Sequence, residues 1–145
     1  MKKSILALAA LFVIGTACKK EETGGGTETP KSTEEKIIGA WKGDKQIEDV
    51  NISGTGFFDT VYVNEMDMSG FNLEFKSDGT VVADSLGLNP DVSNWELLSD
   101  NLIKIEDQEF DIILLNDANF HIQLDSSYMV PPINFSIKNI IQLKK

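Results

Sequence analysis

Phe71-Asn72-Leu73-Glu74-Phe75-Lys76-Ser77-Asp78-Gly79-Thr80-Val81-Val82-Ala83 is the stretch that decides the fold. Its first half alternates apolar and polar residues with period two. That pattern puts Phe71, Leu73 and Phe75 on one side of a strand and Asn72, Glu74 and Lys76 on the other. Ser77-Asp78-Gly79-Thr80 then reverses the chain, because Gly supplies the positive φ that a tight hairpin turn needs. Val81-Val82-Ala83 continues as the return strand.

The same grammar repeats in both directions. Downstream, 92–98 with Trp95 reads as a strand, and Ser99-Asp100-Asn101 turns it. Residues 102–106 follow, then a turn at Asp107-Gln108, a strand over 110–115 and a turn at Asn116-Asp117-Ala118. Phe120-His121-Ile122-Gln123-Leu124-Asp125 alternates cleanly, and two runs, 133–138 and 140–143, close the chain. Upstream, 38–50 and 57–68 add further strands. The spacing predicts about eight to nine strands joined by short loops. Only residues 32–38 fit a helical turn, opened by the cap Ser32-Thr33-Glu34-Glu35. Consecutive hairpins favour an all-β, antiparallel up-and-down barrel. A β-sandwich is the competing architecture; it expects longer Greek-key crossings.

The chain has 145 residues and a net charge of −10, with no arginine. An acidic chain lacking the guanidinium fork is poorly suited to nucleic acid or phosphate recognition. Anionic lipid surfaces repel it as well. Cys18 is the single cysteine, so no intramolecular disulfide and no cysteine-based metal site can form.

The N-terminus has its own organisation. Lys2-Lys3 precedes an apolar run over 5–14 that is too short to span a bilayer, and Gly15-Thr16-Ala17 leads into Cys18. This is the layout of a secretory signal peptide over 1–17. Ile14-Gly15-Thr16-Ala17-Cys18 resembles the lipobox of bacterial lipoproteins. The resemblance implies diacylglyceryl transfer to the Cys18 sulfur, cleavage before it, and acylation, for instance by palmitate, of the new amine. Lys19-Lys20-Glu21-Glu22 is similar to the surface-export signal of Bacteroidetes lipoproteins, which implies the cell-surface side of the outer membrane. The alternative is a generic polar tether facing the periplasm. Residues 18–35, with Gly24-Gly25-Gly26 and Pro30, contain nothing large enough to bury after Cys18 and read as a flexible tether. The folded domain is then 36–145.

Gly39-Ala40-Trp41 resembles the Gly-x-Trp motif of lipocalins, in which the tryptophan plugs the closed end of the barrel. With the Asp78-Gly79-Thr80 hairpin, Trp95-Glu96 and Leu102-Ile103-Lys104-Ile105, the order of motifs is similar to lipocalin-like lipoproteins of Bacteroidetes. Lipocalins stack an arginine on that tryptophan. Here Lys138 or Lys144 is the candidate to cover Trp41 by a cation–π contact. Trp41, Phe71, Phe75, Trp95, Phe110, Phe120 and Phe135 are the expected core.

Two apolar stretches are candidate rim elements. Phe57-Phe58 follows the flexible Ser53-Gly54-Thr55-Gly56, and Tyr128-Met129-Val130 leads into Pro131-Pro132 as a proline-stiffened connection. At one barrel rim they would form an apolar mouth for a ligand or partner. His121 is expected to face outward, with no serine elbow or second cysteine to make a triad. Glu65, Asp67, Asp78 and Asp84 offer oxygens without EF-hand spacing, so neither a metal nor a cofactor is expected. The reading is an outer-membrane, surface-exposed lipoprotein, not an enzyme, whose lipocalin-like barrel binds a small apolar ligand. The alternative is a non-enzymatic interaction module with a filled barrel that meets another envelope or extracellular protein.

Overall fold

The computed structural model describes residues 30–56, 59–85, 87 and 90–145. The signal peptide, Cys18, the Lys19-Lys20-Glu21-Glu22 segment and Phe57-Phe58 lie outside the described residues. Within them the chain forms one short helix, α1 (Thr33–Ile37), and nine strands: β1 (Gly39–Gly54), β2 (Thr60–Asp67), β3 (Phe71–Phe75), β4 (Thr80–Ser85), β5 (Asp91–Ser99), β6 (Leu102–Ile105), β7 (Gln108–Leu115), β8 (Asn119–Val130) and β9 (Ile133–Lys144).

Helix α1 starts where the sequence places it. Ser32 accepts from the Glu35 amide at 3.2 Å, and the Glu35 carboxylate accepts from the Ser32 amide at 2.7 Å. This reciprocal capping box satisfies two donors of the first turn. The short helix seats Ile37, fully buried, under the barrel floor.

Eight strands close an antiparallel barrel. β3 through β9 each pair with the next, β9 pairs with β1, and the start of β1 pairs with β3. The expected hairpin is present: Gly79 has φ +83, and the Asp78 carboxylate accepts from both the amide and the hydroxyl of Thr80. The register carries the period-two pattern around the wall. Trp41 lies opposite Leu73, Phe75 opposite Val81, Trp95 opposite Ile105, and Phe120 opposite Leu143. Paired residues share a face, so these side chains meet inside.

β2 and β3 share one edge of β1, because β9 holds the other. β1 pairs with β3 only over Gly39–Lys42, whereas β2 pairs with β1 over Lys45–Ile52. The chain therefore hairpins back from β1 to β2 and runs on down the same edge of β1 as β3. The break between them faces an irregularity in β1 between Gly43 and Lys45. There the Met68 amide donates to the Asp44 carbonyl at 3.1 Å. A Cβ on Gly43 would stand 2.2 Å from the Met68 carbonyl oxygen, so only glycine allows the two backbones to pass this closely.

The interior is filled by its own side chains. Ile37, Trp41, Phe75, Ile103, Phe120, Ile122 and Leu143 are at most 1% exposed. The Phe120 ring lies 5.4 Å from Trp41 and 5.7 Å from Phe75, and Phe75 meets Trp95 edge-on at 5.4 Å. Both tryptophans keep a polar partner: Trp41 Nε1 donates to the Ile37 carbonyl at 2.7 Å and Trp95 Nε1 to the Lys76 carbonyl at 3.0 Å. Phe71 and Phe110 are partly buried and pack on this cluster.

Three expectations are corrected. The runs 133–138 and 140–143 are one continuous strand, β9. Tyr128-Met129-Val130 is the end of strand β8, and only Pro131-Pro132 makes the turn. Phe135 is half-buried outside the core cluster, because β9 continues beyond the barrel wall there.

Candidate functional site

Above the barrel, four strands continue alone among the described residues. β7 pairs with β8 no further than Asp111 with Gln123, and β3 leaves β1 at Lys42. Beyond those points the order is β2-β1-β9-β8, with β1 paired to β9 up to Gly54 and Ile133. At about 3.3 Å per residue, the stretch of β1 from Gln46 to Gly54 rises about 26 Å.

Register assigns each residue of this projecting sheet to a face. Ile122 and Ile141 pair and point into the barrel, so alternation carries that inner face upward. Its next row is Asn64, Glu48, Asn139 and Leu124, where Gln46 Nε2 donates to Asn139 Oδ1 at 3.3 Å. Above this come Tyr62, Val50, Ile137 and Ser126, and then Thr60, Ile52, Phe135 and Tyr128. Gly54, Ile133 and Val130 end it. The inner face is thus apolar over its outer rows. Tyr128 stacks on Phe135 with centroids 4.7 Å apart and planes 9° from parallel. Tyr62, Tyr128 and Val130 are 59%, 52% and 55% exposed.

The outer face of the same strands differs. One row is Val63, Asp49, Lys138 and Asp125, and the next is Val61, Asn51, Ser136 and Ser127. Charge is concentrated here, whereas Glu48 is the single charged residue in the inner rows just named. An apolar face with charges kept to the other side is the arrangement of a sheet prepared for a second layer.

The expected rim residues are therefore divided. Tyr128 and Val130 stand on the inner face, while Met129 lies one residue out of phase and points to the outer face. Gly54 pairs with Ile133, which brings the end of β1 and the start of β9 to the same tip. That tip ends the projecting sheet, not the barrel wall. Val50, Ile52, Tyr62, Phe135 and Ile137 complete the face. Their signal in the sequence was ordinary strand alternation, indistinguishable from that of the core.

Gly39 and Trp41 lie at the opposite end, the barrel floor, with Trp41 1% exposed. The cation over its ring is Lys145, with Nζ 4.5 Å from the centroid. Neither Lys138 nor Lys144 fills that place. Lys138 is on the outer face, and Lys144 points outward to pair with Asp44. Lys145 comes next after Lys144 and is held by its amide bond to the Ala118 carbonyl at 3.0 Å. His121 is partly exposed on the outer side, between Leu114 and Gln142. Burial lowers its pKa, and the nearby Asp44 carboxylate opposes that shift. Glu65 pairs with Lys45 at 3.2 Å. Asp67 accepts from the Ser69 amide and hydroxyl, which holds its carboxyl below the ordinary range.

Comparison with family models, with curated proteins and with solved structures gave no match.

Proposed function

We propose that this protein is a lipid-anchored, surface-exposed lipoprotein of the bacterial outer membrane that works as a non-enzymatic interaction module. The filled barrel is its pedestal, and the inner face of the projecting sheet is its binding element. The observation that carries this reading is the contrast between the two halves. The barrel interior holds Trp41, Phe75 and Phe120 at no more than 1% exposure, while Tyr62, Tyr128 and Val130 on the continuing face are more than half exposed. Contiguous exposed apolar surface marks interaction sites.

The anchoring reading rests on the lipobox-like Ile14-Gly15-Thr16-Ala17-Cys18 and on the barrel exterior. Outward positions include Lys42, Asn72, Glu74, Glu96, Lys104 and Glu109, paired across the wall. A lipid-facing barrel needs an apolar outer band, so attachment would fall to acyl chains on Cys18. The tether joins at α1, beneath the floor, and β1 rises from Gly39 by about 50 Å to the tip. The projecting sheet therefore points away from α1, where the tether joins.

A small apolar ligand fits this geometry less well than a macromolecular partner does. Core side chains occupy the space a lipocalin-like ligand would take. A single open sheet covers such a molecule from one side, whereas ligand sites enclose most of it. Two experiments test the proposal. Cys18→Ser is expected to move the protein from membrane to soluble fractions; continued membrane association would refute the anchor. Native mass spectrometry of the Cys18→Ser protein is expected to show apoprotein mass. Copurified lipid, with stoichiometric displacement of a fluorescent fatty acid, would restore the ligand-carrier reading.

A further inference from the structure

We infer that the occupant of the inner face is a basic, amphipathic helix of another protein, lying along the strands with its cations over the barrel mouth. The inference rests on reading that face as the binding element and names the chemistry of its partner. Below the face, strands β3 to β7 curve round on the same side. The apolar rows therefore rise as a back wall, and the barrel mouth forms a ledge at their foot.

The ledge is acidic. β5 begins at Asp91, and β6 turns into β7 through Glu106 and Asp107, which places all three at the mouth. Asp91 pairs with Ala83, and Ser93 pairs with the buried Val81, so this register turns Asp91 and Ser93 toward the barrel axis. The Ser93 hydroxyl donates to the Glu106 carboxylate at 2.6 Å, which holds that carboxylate on the same side. Glu48 stands on the wall just above. Among the described residues, the lysines of the upper half are Lys45, Lys104 and Lys138, and all three occupy outer positions. The first two pair with Glu65 and Glu96 at 3.2 and 3.5 Å. The carboxylates beside the apolar wall are thus left to a cation from outside. A second copy of this chain would bring the same carboxylates to the ledge, and nucleic acid would bring phosphates; both are repelled.

Dimensions select a helix. Four strands about 4.8 Å apart give a face about 14 Å wide and about 26 Å tall. One helix, about 10–12 Å across, covers that width, and about 17 residues cover the height. An apolar stripe at i, i+3, i+4 and i+7 packs on Val50, Ile52, Ile137 and Phe135 as the missing layer. Lysines or arginines in the turns nearest the mouth reach the ledge.

The probe is a dye-labelled helical peptide of about 17 residues, with leucines on one stripe and lysines elsewhere. Fluorescence anisotropy with the Cys18→Ser protein is expected to show binding that weakens as salt is raised. A peptide with glutamates in place of the lysines, or serines in place of the leucines, should bind at least about tenfold more weakly, a factor of ten being about 1.4 kcal/mol. Asp91→Asn with Asp107→Asn should weaken the leucine–lysine peptide. Asp49→Asn with Asp125→Asn, the same change of charge on the outer face, should not. Tyr62→Ser with Tyr128→Ser should weaken it and leave its salt dependence in place. No binding of that peptide up to hundreds of micromolar would overturn the basic partner and leave the binding-face reading standing. So would equal binding of the glutamate peptide that is lost in Tyr62→Ser with Tyr128→Ser. Binding that ignores the two tyrosine substitutions and is weakened by Asp49→Asn with Asp125→Asn would overturn both.

Discussion

Replacing Phe120 by Ala removes the ring on which the barrel interior converges. Phe120 is fully buried, lies 5.4 Å from Trp41 and 5.7 Å from Phe75, and faces Leu143 across the β8–β9 ladder. Truncation loses the transfer free energy of the ring and leaves a cavity whose lining cannot collapse, because two rings and two ladders hold it open. Such Phe→Ala changes cost about 3–5 kcal/mol. With a urea m-value of about 1–1.5 kcal/mol/M for a domain this size, the midpoint should fall by about 2–5 M. The matched control is Phe135→Ala, which removes the same ring from the projecting sheet. Phe135 is half-buried and makes one ring contact, to Tyr128, so about 1–2 kcal/mol is expected. Urea unfolding of the two variants, followed by tryptophan fluorescence, measures both. Equal losses, or a Phe120→Ala loss below about 1.5 kcal/mol, would refute the filled-barrel argument, because a ring bordering an open cavity has little packing to lose.

Further outcomes follow from local geometry. Gly43→Ala should cost at least about 2 kcal/mol in thermal or urea unfolding, since its Cβ would meet the Met68 carbonyl at 2.2 Å. Ser32→Ala should cost about 1 kcal/mol by removing the cap acceptor for the Glu35 amide. Bonds from Thr80 hold the Asp78 carboxyl below its ordinary pKa, so its contribution is full above the unfolded value of about 3.9 and fades as pH falls through the folded value. The gap in urea midpoint between wild type and Asp78→Ala should therefore be widest near neutrality and shrink in acid; a gap that widens in acid would contradict the assignment.

Much of the barrel was legible because local chemistry and tertiary role agree there. Asp78-Gly79 demands a hairpin, and the flanking alternation leaves one register that buries Leu73, Phe75 and Val81. Ser32 and Glu35 announce their cap, and Gly39-Ala40-Trp41 places its ring in the floor. The projecting sheet was not legible, for a physical reason. A face that awaits a second layer has the same alternation as one that already has its layer, so Phe135 reads as core. The position of β2 was hidden too, since period two identifies a strand but not which part of β1 it borders. The β8–β9 turn was misjudged because Pro131 restricts only itself and the residue before it. It left Tyr128, Met129 and Val130 free to stay in the ladder. Lys145, not Lys144, covers Trp41 because alternation points Leu143 inward, Lys144 outward and Lys145 inward again.

The account stands most directly on methyl NMR of the Cys18→Ser protein with a soluble paramagnetic agent. It predicts that the methyl signals of Val50, Ile52, Ile137 and Val130 on the projecting face are broadened, while those of Val81, Ile103 and Ile122 in the filled barrel stay sharp. Protection of the projecting face, or broadening in the barrel interior, would contradict it.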